Sequence, residues 1–122
     1  MSQSADAIID FANHPVEVEA YRPDAAKVLS GDPAQQAWNH YSDPSNRFHA
    51  GIWQGEPGSA RVTYTEHELC HLLEGSIVLR GDDGSERRFT AGDAFVIPAG
   101  FTGVWETLET CRKIYAIYEP QG

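Results

Sequence analysis

Cations are scarce in this chain, and so are cysteines. Of 122 residues only 9 are Lys or Arg, against 18 Asp or Glu, a formal net charge of −9. Nucleic acid and anionic membrane surfaces are held by clustered Lys and Arg, so the balance argues against both as partners. The 2 cysteines, Cys70 and Cys111, make no Cys-x-x-Cys pair, and a secreted disulfide scaffold carries more of them at denser spacing. Both are read as reduced and buried. No run is apolar and long enough to span a bilayer, and the first residues show neither the basic segment nor the apolar run of a signal peptide. Repeats and low-complexity tracts are missing. Gly51, Gly55 and Gly58 form no phosphate-binding fingerprint, because no helical pattern comes after them. These absences leave a cytoplasmic protein of one domain, with a single core of ordinary size.

What the chain does have is aromatic side chains and turn signals. There are 3 Trp, 5 Tyr and 5 Phe, most of them after Arg47, which places the main core there. Residues 1–46 read as an arm, too thin to bury a core alone. Within it Ser4 caps a short helix over Ala5–Phe11, ended by His14-Pro15. Val16–Tyr21 alternates apolar and acidic residues, as a half-buried edge strand does. A helical turn comes next over Asp24–Leu29. Asp32-Pro33 has the form of a helix start, which predicts a short helix over Ala34–Asn39 with Trp38 as its anchor. Residues 42–46 read as a polar linker.

Residues 47–122 have a different texture. Short runs at Phe48–Trp53, Arg61–Thr65, Glu66–Gly75, Ser76–Arg80, Ser85–Phe89, Ala94–Ile97, Gly103–Thr107 and Cys111–Tyr118 read as strands. Gly, Pro and Asp punctuate them, most clearly at Gly81-Asp82-Asp83-Gly84. Many short strands with such punctuation specify an all-β antiparallel sandwich or barrel. The densest chemistry lies in Glu66-His67-Glu68-Leu69-Cys70-His71-Leu72-Leu73-Glu74-Gly75. On a strand, Glu66, Glu68, Cys70 and Leu72 share one face and His67, Leu69, His71 and Leu73 the other. His67 and His71 are then about 13 Å apart at roughly 3.3 Å per residue and cannot hold one ion together.

The order of residues resembles the cupins, small jelly-roll barrels. Glu68 and Gly75 match the end of their first signature, and Gly92, Pro98 and Gly100 match the second. The run Phe48-x-Ala50-Gly51-Ile52-Trp53, with Glu68-x-Cys70, Leu73-Glu74-Gly75, Pro98-Ala99-Gly100-Phe101, Trp105-Glu106 and Arg112-Lys113-x-Tyr115, is similar to short single-domain cupins. These are grouped with the cupin domain of (S)-ureidoglycine aminohydrolase and with ethanolamine-utilisation cupins. The resemblance implies an antiparallel double-stranded β-helix behind the N-terminal arm, usually as a homodimer. In metal-binding cupins two His of the first signature and one of the second join the Glu around a divalent ion. Here the first positions hold Val62 and Tyr64, or Arg61 and Thr63. The second-signature His position holds Gly103 and the subsequent Asn position Thr107. Only Glu68 survives, so no firmly bound metal is expected, and a divalent ion stays open with Glu68 as its one candidate ligand.

The match puts Glu68 and Cys70 inside the barrel and turns His67 and His71 outward, where a surface or dimer role suits them. A carboxylate inside a barrel has to be paired, hydrogen-bonded or protonated. Its candidate partners are Tyr64, Arg61, Arg112 and Lys113. Glu68 is then either a general acid/base or ligand-binding group, or half of an internal salt bridge. Cys70 has no group on its face to activate it and reads as a small buried residue of the pocket. Lys113 is either a buried amine in the pocket or an outward, solvated lysine. Trp53, Tyr64, Phe95, Trp105 and Tyr115 are mostly core aromatics, with Trp105 the best candidate for the pocket mouth. Tyr64, Glu68, Cys70, Trp105 and Lys113 thus form the candidate ligand site. The leading expectation is a small polar metabolite bound inside the barrel. The alternative is an enzyme of small nitrogen-containing metabolites, resembling ureidoglycine aminohydrolase, with Glu68 as acid/base or as the remaining ligand of an unusual metal site.

Overall fold

The sheet is built on two long bent strands, β6 (His67–Gly81) and β9 (Thr102–Tyr118), paired antiparallel along nearly their whole length. The computed structural model describes residues 4–120. Residues 1–3 of the expected arm lie outside them. Each long strand carries two shorter partners on its free edge. On β9 these are β4 (Phe48–Gly55) and β5 (Gly58–Thr63). On β6 they are β7 (Glu86–Thr90) and β8 (Ala94–Ile97). The arm extends the same sheet: β1 (Glu19–Tyr21) pairs with β3 (Gln35–Ser42), β3 with β4, and β2 (Val28–Gly31) with β5. The architecture is all-β and antiparallel, curled into a cupin jelly roll.

Two expected strand breaks are bends instead. Glu66–Gly75 and Ser76–Arg80 are one strand, as are Gly103–Thr107 and Cys111–Tyr118. At Gly75 the register with β9 slips, and φ is +85°. A Cβ there would fall on the Thr110 carbonyl oxygen and 2.8 Å from Cys111 Cα, so glycine lets the strands touch as they turn. The sheet thereby folds over Cys70, Leu72, Ile77, Leu79, Ile97, Trp105 and Cys111 as its core.

The expected helix over Ala34–Asn39 is corrected to strand β3. Trp38 lies opposite Ile52 and Ala37 opposite Trp53, so pairing on both edges of the strand overrides the local start signal. Asp32 instead ties Arg22 at 2.8 Å. Trp38 anchors to the outer face, under the Arg112 guanidinium 4.9 Å from its ring. The strand expected over Val16–Tyr21 shortens to β1. The helix expected over Ala5–Phe11 is two 3-10 turns, Ala5–Ala7 and Phe11–Asn13, and a third spans Ala25–Lys27. No helix of the described residues is long and apolar enough to cross a membrane.

Candidate functional site

Register alone places the inner-face side chains in rows. One row runs Ala37, Trp53, Lys113, Leu72 across β3, β4, β9 and β6; the next runs Asn39, Gly51, Tyr115, Cys70; a third runs Ser42, His49, Ile117, Glu68. Alternation in β6 is complete from His67 to Leu72: Glu68, Cys70 and Leu72 are buried, while His67, Leu69 and His71 are exposed. The facing of Lys113, open in the sequence, is inward.

The inner rows enclose a cavity of about 670 Å³. At its floor Lys113 Nζ donates to Glu68 Oε2 at 2.8 Å, and the two side chains are only 5% and 9% exposed. The ammonium also lies 4.3 Å from the centroid of Trp105 and 4.7 Å from that of Trp53, within range of both ring faces. The indoles meet edge to face at 5.5 Å. Each is fixed by its own N–H: Trp53 donates to Gln35 Oε1 at 2.8 Å and Trp105 to Thr107 Oγ1 at 3.0 Å. Burial alone would push Lys113 down, but the adjacent Glu68 carboxylate outweighs it and holds the amine well above its ordinary value. Lys113 is therefore a cation at neutral pH.

Glu68 is bound on one side only. Its Oε2 takes Lys113 and the Cys70 thiol, the latter at 3.4 Å. Its Oε1 has no hydrogen-bond partner among the described residues and is not sealed from the cavity. Around it stand Tyr64, its hydroxyl pushed up by burial, and Tyr115, pushed up to about 12 by burial and by the neighbouring Tyr21 and Glu68. Tyr115 donates to Asn39 Oδ1 at 2.7 Å.

Of the five expected ligand-site residues, Tyr64, Glu68, Trp105 and Lys113 line the cavity. Cys70 does not. It lies between Glu68 and Leu72 on its strand, and the Lys113–Glu68 pair closes over its thiol, which is fully buried. Lys113 Nζ lies 3.5 Å from Sγ, a cation the sequence did not place there; burial nonetheless dominates and raises the thiol to about 12. Trp105 is buried against the floor rather than set at the mouth. Trp53 and Tyr115, expected as core aromatics, also line the cavity, and Asn39 was missed. The cross-strand row Asn39-Gly51-Tyr115 is visible only once β3 is known to be a strand.

The donor set does not fit a cupin metal. Glu68 is the one ligand type at the four expected positions, and its Oε2 already holds an ammonium that would repel a second cation. Gly103 cannot be replaced by a ligand without collision, since a Cβ there would meet the Arg80 carbonyl oxygen. Among the described residues no three His, Cys, Asp or Glu converge as a metal-holding group.

Comparison with known proteins agrees with this architecture. Residues 42–115 match the model of the EutQ-like cupin domain. A DUF861-family protein of unknown function from Pseudomonas syringae pv. tomato is 25% identical, with a TM-score of 0.76 over 86% of this chain and 46% of that one. The chain thus spans about half the length of that relative. The EutQ protein of Clostridium difficile is 17% identical, with a TM-score of 0.63 over 70% of this chain and 63% of its own. An ethanolamine utilization protein of Salmonella typhimurium is 21% identical, with a TM-score of 0.62 over 71% of each chain. At those identities the likeness is one of fold. No curated protein matches the chain.

Proposed function

Since the chain belongs to the family of EutQ-like cupin domains, we propose that it binds a small polar metabolite in its barrel cavity, with Glu68 Oε1 as the anchoring acceptor. The observation that carries this reading is the one-sided use of the carboxylate. Lys113 fixes Oε2 and orients the group, and Oε1 faces the cavity unpartnered among the described residues. A buried acceptor left open in this way rewards a ligand that brings an N–H donor. Trp53, Trp105 and Tyr64 supply flat apolar walls beside it. Small amines, amides and ureides have that shape and polarity. A thermal-shift screen of such compounds tests the reading: a subset should raise the melting temperature, and none doing so counts against it.

A second reading takes the same oxygen as a general acid/base in an enzyme of small nitrogen-containing metabolites, ureidoglycine-aminohydrolase-like in substrate. It is favoured by the contact of Glu68 with a charged amine that can respond to its proton. Turnover in the same compound set, lost on removing Glu68, separates it from binding alone.

We further propose that the protein acts in the cytoplasm as a homodimer. The outer sheet face supports pairing. Tyr41, Leu69 and Val96 lie in one cross-strand row, and Phe48 faces Tyr118 in the next. All five are exposed, Val96 by 59%, which makes an apolar face suited to a second copy.

A further inference from the structure

The rim of the cavity carries a second cluster that the floor does not use. Ser42 ends β3, His49 is the second residue of β4, and Glu119 comes directly after β9. Ser42 Oγ is 2.7 Å from His49 Nδ1, and His49 Nε2 is 3.0 Å from Glu119 Oε2. The bulge at His40 makes this possible. It slips the β3–β4 register between Asn39 and Tyr41, so that Asn39 and Ser42, three residues apart, both face inward. Both line the cavity with His49. Glu119 is held in place by its own backbone: its N–H donates to the Arg47 carbonyl at 2.7 Å, and Arg47 Nε donates to its carbonyl at 3.1 Å.

The partners fix the proton positions. An ionised carboxylate only accepts, so His49 Nε2 carries the proton that faces Glu119. In the neutral ring Nδ1 is then an acceptor, and the Ser42 hydroxyl donates to it. Ser42 Oγ in turn accepts from Asn39 Nδ2 at 2.9 Å, and Asn39 Oδ1 accepts from Tyr115. The chain Tyr115, Asn39, Ser42, His49, Glu119 thus donates in one direction, toward the surface carboxylate, and each bond polarises the next. Gly51 permits its inner end, because a Cβ there would lie 2.7 Å from the Tyr115 hydroxyl and on the Trp38 carbonyl oxygen.

We propose that Ser42, His49 and Glu119 form a nucleophilic acyl-transfer site that hydrolyses small esters or thioesters entering the cavity. Nucleophile, base and base-orienting acid stand in hydrogen-bond reach in that order, which is the arrangement such chemistry requires. The Ser42 oxygen attacks the acyl carbonyl carbon as its proton passes to His49 Nδ1. The resulting imidazolium is stabilised by Glu119. The tetrahedral oxyanion collapses, the bond to the alkoxide or thiolate breaks, and the leaving group takes the proton from His49. Water, deprotonated by the same nitrogen, then cleaves the acyl-serine and restores the hydroxyl. The Asn39 amide beside Oγ is the donor available to the oxyanion. One side-chain donor gives limited stabilisation, which favours activated acyl groups over amides. The site lies at the other end of the third inner row from Glu68, with Ile117 between, and it does not depend on the reading of the floor.

The test uses the whole chain, a fluorophosphonate probe and p-nitrophenyl acetate. Peptide mass mapping should find the probe on Ser42. Ser42→Ala should remove labelling and bring hydrolysis to the buffer rate, and His49→Gln should slow both by roughly 10²-fold, the scale of a lost general base. Wild-type protein left unlabelled at Ser42, or Ser42→Ala hydrolysing at the wild-type rate, overturns the proposal. The mapping needs no variant and so stands even if a substitution fails to fold.

Discussion

Lys113 and Glu68 form a buried ion pair at 2.8 Å, with the ammonium capped by two indole faces. Removing one partner leaves the other charged and enclosed. Glu68→Gln is therefore expected to cost about 3–5 kcal/mol, whereas Glu68→Leu combined with Lys113→Met, which removes both charges and fills the space, should be near neutral or stabilising. Urea unfolding midpoints check this. Equal losses for the single and double variants would contradict it.

Alkaline pH should unfold the protein early. Burial raises Cys70 to about 12 and Cys111 to about 11, and it raises Tyr64 and Tyr115 as well. Burial opposes the Lys113 cation, but the Glu68 charge leaves the amine raised too. For every one of these groups the folded value exceeds the unfolded one. Their contribution is complete below the unfolded thiol value of about 8.5 and is lost as pH climbs through the folded values, about 11 for Cys111 and about 12 for Cys70. Stability should be flat from pH 7 to 8 and fall steadily above 9. A stability rising with pH over that window would contradict the assignment.

The same burial predicts inert thiols. At pH 8 the native protein should react with iodoacetamide at neither Cys70 nor Cys111, and both should react in denaturant. Rapid native alkylation of Cys70 would show that the ion pair does not close over it.

The strand alternation of His67–Leu72 was legible in the sequence, and the resemblance to cupins set which face is inward, with Glu68 inside and the histidines outside. Also legible was an antiparallel sandwich or barrel, from turn residues at Gly81–Gly84 and Pro98–Gly100, with the resemblance to cupins choosing the jelly roll. The Lys113 facing was not, because register comes from the partner strand: Lys113 points inward since it lies opposite Trp53 on β4. The same holds for β3. Asp32-Pro33 is a sound helix start taken alone, and only pairing with β1 and β4 makes Gln35–Ser42 a strand. That reversal hid Asn39, and reading Ser42 as the start of a polar linker hid the wall the two make with His49. In sequence β6 reads as broken at Gly75, because a glycine marks a bend as readily as an end.

The outer face predicts its own disruption. Val96→Lys with Leu69→Asp should convert a dimer in sedimentation velocity into a monomer at micromolar concentration while leaving the far-UV spectrum unchanged. Wild-type protein sedimenting as a monomer would contradict the pairing.

The anchoring role of Glu68 Oε1 is tested most directly by calorimetric titration of a screened amine, amide or ureide into wild type and into the Glu68→Leu/Lys113→Met variant. That variant removes the acceptor without stranding a charge. Loss of a charge-assisted hydrogen bond should weaken binding by at least about tenfold. Equal dissociation constants for the two proteins would contradict that role.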